Sequence, residues 1–146
     1  MSSQLANSPS GALSILSVSP LEEDHSSLQA IVAHSRWKQF HARDLSSAMT
    51  LLEQHDIAVV LCERDLTQGS WIDVLENVRR RPHSPSLIVT SRFADDCLWS
   101  EALNLGAWDV LGKPFDRVEV IRSVKSAWQH WHNPIQMLSL AMTVSS

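Results

Sequence analysis

Four short apolar runs of this chain each end on residues able to carry or neutralise charge. Ser19-Pro20 follows the run 12–18, Glu63 follows 57–62, Ser91 follows 86–90 and Lys113 follows 108–111. An ammonium and a carboxylate brought together would pair, and a hydroxyl beside them would add a hydrogen bond. Asp65 is a second carboxylate two residues past Glu63, and Glu22 and Glu23 lie just beyond Ser19-Pro20. The seven histidines show no metal spacing. His130 and His132 are two apart and do not share a helix face, and His41, His55 and His83 stand alone. Cys62 and Cys97 have neither disulfide-framework nor zinc spacing. Cys62 lies in an apolar run and reads as a small buried hydrophobe. No Ser-His-Asp arrangement can be read from such scattered residues. The sequence therefore assigns no catalytic residue and no metal ligand.

These residues matter only if the elements carrying them converge. β-prone runs alternate with longer helical patterns, the mark of βαβ construction and a mainly parallel sheet. The expected strands are 12–18, 37–42, 57–62, 86–90 and 108–111. The first expected helix carries Leu28, Ile31 and Val32 on one face, behind an acidic opening that suits the helix dipole. The second begins after the cap Asp44. The third carries Trp71, Val74, Leu75 and Val78, and the fourth runs from about 94 to 105 and ends at Gly106. The fifth starts near Phe115 with Val118, Ile121, Val124 and Trp128 as its stripe. The run 57–62 is apolar on both faces, as a central strand covered by helices requires. The resulting fold class is α/β, a doubly wound five-stranded parallel sheet in the order 2-1-3-4-5. Such a sheet places the four strand-end positions at its ligand-binding carboxyl edge.

Composition bounds the function. The 146 residues fit one domain, with 1–11 expected as a flexible leader, 12–132 as the domain and 133–146 as a C-terminal tail. A net charge of −4 without a basic stripe argues against direct nucleic-acid binding. The one basic run, Arg79-Arg80-Arg81, reads as a solvated helix end. No run approaches the ~20 apolar residues of a membrane span. The two unpaired cysteines and the absence of a signal-peptide pattern point to a cytoplasmic setting.

The run 106–115, Gly-Ala-Trp-Asp-Val-Leu-Gly-Lys-Pro-Phe, resembles the Gly-Ala-x-x-(aromatic)-(apolar)-x-Lys-Pro-Phe segment that closes response-regulator receiver domains. The resemblance extends over roughly residues 13–131 in the register of all five strands. It implies that Lys113 occupies the place of the phosphoryl-contacting lysine. Ser91 would be the hydroxyl residue, with Thr90 as the alternative, and Lys113-Pro114 a cis peptide. The phosphoacceptor position falls on Glu63, with Asp65 as a fallback.

The same resemblance exposes three departures. The acidic pair that holds Mg²⁺ in the family is replaced by Ser19-Pro20, and proline offers a hard cation no side-chain ligand. No cofactor is therefore expected, and Mg²⁺ binding is doubtful. Glu22 and Glu23 are expected on a solvated face. The acceptor itself is a glutamate, one methylene longer than aspartate, which suits pairing with Lys113 and imitation of a phosphorylated state. The position of the switching aromatic is Val110, with Trp108 facing elsewhere.

Six tryptophans and no tyrosine are unusual. Trp99, Trp108, Trp128 and Trp131 fall in the region of helix 4, strand 5 and helix 5, and are the interface candidates, with Trp131 expected to be the most exposed. The leading functional expectation is a stand-alone, non-enzymatic, phosphorylation-independent receiver acting through protein–protein contacts. Its partner would be a histidine kinase, an output protein or a second copy in a homodimer. The alternatives are a receiver phosphorylated by a histidine kinase at Glu63 or Asp65, and a flavodoxin-like cofactor binder. The glycine-free, acidic turn 19–23 argues against the last.

Overall fold

The computed structural model describes residues 13–132 apart from His34. The leader expected at 1–11 and the tail expected at 133–146 lie outside the described residues. Among the described residues five strands and five helices alternate: β1 (Ser14–Val18), α1 (Glu22–Val32), β2 (Lys38–Ala42), α2 (Leu45–Gln54) and β3 (Val59–Glu63) come first. They are followed by α3 (Trp71–Arg79), β4 (Ser86–Ser91), α4 (Asp96–Leu105), β5 (Asp109–Gly112) and α5 (Arg117–His132). The strands form one parallel sheet in the order β2-β1-β3-β4-β5, as expected from the alternation.

The sheet separates two apolar layers. On one face Leu16, Val18, Val60, Cys62, Leu87 and Val89 meet Trp71, Val74, Leu75 and Val78 of α3 and Leu98 and Ala102 of α4. On the other, Ile15, Val59, Leu61, Ile88 and Leu111 meet Leu28 and Val32 of α1 and Val120, Val124 and Ala127 of α5. Val59 to Cys62 are buried whichever way they point, so β3 is the central strand. Each such buried side chain contributes roughly 1.5–3 kcal/mol of transfer free energy.

Local chemistry sets the helix ends. Asp44 caps α2 by accepting from Ser47 N–H at 2.8 Å. Ser70 and Asp73 form a capping box at α3. Asp95 caps α4 by accepting from Leu98 N–H, so the helix begins at Asp96 and not at about 94, and Gly106 ends it in the left-handed region at φ 109°. The expected stripe of α5 needs correction. Val118 is exposed, and the buried residues are Val120, Ser123, Val124 and Ala127. The helix starts two residues later than expected because Asp116 accepts from Glu119 N–H at 2.9 Å.

Candidate functional site

The carboxyl edge of the sheet brings Lys113 and Glu63 together as an ion pair. Each leaves the end of its strand, Lys113 just after β5 and Glu63 as the last residue of β3. Lys113 N–H also donates to Ser91 C=O at 3.2 Å, which ties the loop after β5 to β4. The Lys113-Pro114 bond is cis.

A third group completes the cluster, and it is one that the sequence reading passed over. Asp24 Oδ2 accepts from Lys113 Nζ at 2.6 Å and from Ser19 Oγ–H at 2.6 Å. All three ionic side chains are nearly buried, with 10% of Lys113, 6% of Asp24 and 12% of Glu63 exposed. Ser19 also accepts from Leu21 N–H at 3.1 Å, so the turn after β1 aims its hydroxyl at the first turn of α1. The signal for Asp24 was present in the helix period. It stands four and eight residues before Leu28 and Val32, both buried. A carboxylate on that stripe must find a partner inside the protein. Glu22 and Glu23 remain outside, paired with Arg43 at 3.1 Å and Arg92 at 3.6 Å.

His25, the next residue, was also missed and is also buried. Its Nε2–H donates to Ser19 C=O at 2.9 Å, which leaves Nδ1 to accept from Ser17 Oγ–H at 2.6 Å. Gln39 Nε2 donates to Ser17 Oγ and to the His25 carbonyl. The His41 ring stacks on that of His25 at 5.0 Å. Burial, and then the neighbouring His25, hold the His41 pKa below its ordinary 6.5, while Glu22 opposes them.

Other residues of interest lie apart from this cluster. Asp65 is exposed and bonded to Arg64 at 3.0 Å. Ser91 is buried and its Oγ accepts from Phe93 N–H at 3.0 Å. Thr90 is buried in β4. Pro20 lines a separate cleft of about 760 Å³ with Arg43 and Met49. A smaller cleft of about 450 Å³ reaches Asp24 and Lys113 between Arg92 and Phe115. Val110 packs in the α3–α4 layer, and Trp108 packs on the other side, donating Nε1–H to Ser126 Oγ at 3.0 Å. Burial pushes the Cys62 thiol far above its ordinary range.

The residues present do not fit the Mg²⁺ that receivers of this kind take. Ser19 and Pro20 supply no carboxylate. The two carboxylates that do face the edge, Asp24 and Glu63, share the Lys113 ammonium. Among the described residues no group of three or more acidic, histidine or cysteine side chains is arranged to hold a metal. A small hard cation needs oxygen donors that are free to turn toward it.

The tryptophans divide by exposure. Trp99 stands out from α4, 46% exposed, with Leu103 one turn on and Phe93 nearby in sequence also exposed. Trp131, expected to be the most exposed, is half-buried because its ring lies flat on His83 at 4.0 Å. Trp128 stacks on His132 and Trp108 on His130.

A five-stranded sheet in this order, with a lysine after β5 and an acidic residue ending β3, defines a receiver-type α/β signalling fold. The chain matches the response regulator receiver domain family over residues 22–125 and belongs to it. It is 30% identical over 113 residues to an uncharacterized transcriptional regulatory protein, YcbL, of Bacillus subtilis, covering 73% of this chain. The chain spans 48% of that relative, about half its length. The signal receiver domain of an HD domain-containing protein from Pseudomonas fluorescens superposes with a TM-score of 0.76 at 25% identity. That superposition covers 85% of this chain and 92% of the other. The beryllofluoride-activated NtrC4 receiver domain dimer gives 0.74 at 20% identity, over 81% and 98% of the two chains.

Proposed function

We propose that this receiver domain signals by binding protein partners and does not cycle through phosphoryl transfer. The single observation that supports this is the ion pairing of Lys113 with both Glu63 and Asp24. A working acceptor must attack an incoming phosphorus atom in line, with the charge of the transferred group neutralised. Glu63 instead has its carboxylate committed to the lysine that would neutralise that charge. Asp24 takes a second contact of the same ammonium, and Ser19 holds Asp24. The arrangement is a standing internal substitute for the contact that phosphate would make. The domain is then held in one signalling state and is read by other signalling proteins in the cytoplasm. It has no catalytic role of its own.

The partner surface in this reading is the face of α4, β5 and α5, and a second copy of the chain is the partner it favours. Trp99 and Leu103 present apolar surface there, and tryptophan is enriched among residues that dominate binding energy. The NtrC4 receiver, similar in fold, is described as a dimer when activated by beryllofluoride.

The test is intact mass after incubation with Mg²⁺ and acetyl phosphate, beside a phosphorylatable receiver. The expected result is an unchanged mass. A phosphoryl adduct that disappears in Glu63→Ala or Asp65→Ala would overturn the reading and restore a histidine-kinase-fed switch.

A further inference from the structure

The ion cluster does not stand alone. A continuous run of hydrogen bonds leads from it to the buried imidazole of His25. Lys113 Nζ donates to Asp24, Asp24 accepts from Ser19 Oγ–H, and Ser19 C=O accepts from His25 Nε2–H. Beyond the ring, Nδ1 meets Ser17, which is in turn held by Gln39. His25 is 1% exposed, so none of these bonds exchanges freely with water. A buried imidazole with both nitrogens engaged is costly to place and rigid once placed.

We propose that His25 is the positioning residue of this cluster: it fixes the turn at Ser19, which aims Asp24 at Lys113. The inference rests on reading Lys113, Glu63 and Asp24 as a standing signalling state, and it says what holds that state. His25 and Asp24 are neighbours in α1, so the helix carries both the anion and the group that orients its partner. The neutral ring fits the network as it stands. Charged or titratable groups around the ring are Asp24 and Glu22 on α1, His41 stacked from β2, and Arg43 paired with Glu22. Lys113 and Glu63 lie at the far end of the hydrogen-bonded run.

The experiment reads the Lys113 ammonium protons directly by nitrogen-detected NMR of the intact chain, where a buried, paired lysine gives an observable signal. Replacing His25 by Phe, with the amide spectrum still dispersed, is expected to speed exchange of those protons about tenfold, the loss of one to two hydrogen bonds. His25→Gln, whose amide N–H can reach the Ser19 carbonyl, is expected to restore the slow exchange. A merely space-filling role would not predict that rescue. Should the Phe variant fail to fold, His25→Asn, too short to reach Ser19, takes its place. Slow exchange in Phe or Asn, or equal behaviour of Gln and Phe, overturns the proposal. A phosphoryl adduct in the acetyl phosphate experiment would defeat the standing-state reading and leave this measurement of His25 intact.

Discussion

The carboxyl edge of the sheet and the outer face of α4 use their side chains in opposite ways. At the edge, Asp24, Glu63 and Lys113 are drawn inward and bonded to one another. On α4, Trp99 and Leu103 are apolar and left facing solvent, although the same helix buries Leu98 and Ala102. A receiver that exchanges phosphate needs an open edge, while one that works by contact needs an open face. In the proposed function, the side chains at the edge are committed to one another where the first would require them free, and those on α4 are exposed where the second would. Singly exposed hydrophobics are ordinary on any surface, so the comparison stands on the pairing of the two regions.

The largest expected effect lies at the edge. Lys113→Met keeps the length of the side chain and removes the ammonium, leaving Asp24 and Glu63 as buried carboxylates without their cation. Breaking a buried ion pair from one side typically costs about 3–5 kcal/mol. A loss of that size in urea unfolding is expected, against about 0–1 kcal/mol for Arg43→Met at the exposed Glu22 pair. Equal effects at the two sites would show that the edge is no more committed than an ordinary surface pair.

The two regions also differ in how far the sequence disclosed them. Lys113, Glu63 and the five strands were legible because each strand is an apolar run and each site residue stands at its end. Helix periodicity disclosed Trp71, Val74, Leu75 and Val78 as buried for the same reason. Asp24 and His25 were hidden because an acidic first turn is also what a solvated helix start looks like, and two of its three acids do face solvent. Only the stripe shared with Leu28 and Val32 marks Asp24 as inward. Trp99 and Trp131 could not be ranked by exposure from sequence, because the flat stack of Trp131 on His83 joins residues 48 positions apart. Val118 was misplaced because an apolar residue near a helix start carries no phase information until the start itself is fixed by Asp116.

An intermediate effect, in binding and not in folding, is expected on α4. Trp99→Ala removes a ring that is 46% exposed, and its folding stability should change by no more than about 0.5–1 kcal/mol. If the face pairs with a second copy, self-association followed by sedimentation should weaken at least about tenfold, the scale of an interface hot spot. A large loss of folding stability without change in association would place Trp99 with the core and erase the contrast between the two regions.

The smallest effect tests the margin of the edge, at His41. Its folded pKa is lowered, first by burial and then by His25, so the unfolded chain binds a proton more readily than the folded one. Stability must therefore rise with pH through the window just below 6.5 and be lost as pH falls through it. The ring is exposed, so solvent screens the effect and the slope should be shallow. Urea midpoints between about pH 7.5 and about pH 5.5 should lose part of that slope in His41→Ala. Glu22 acts the other way, raising the His41 pKa. Glu22→Gln should then depress the folded pKa further and steepen the slope, a change of opposite sign from that of His41→Ala. If both variants flatten it, the proton is being taken up at a group other than His41.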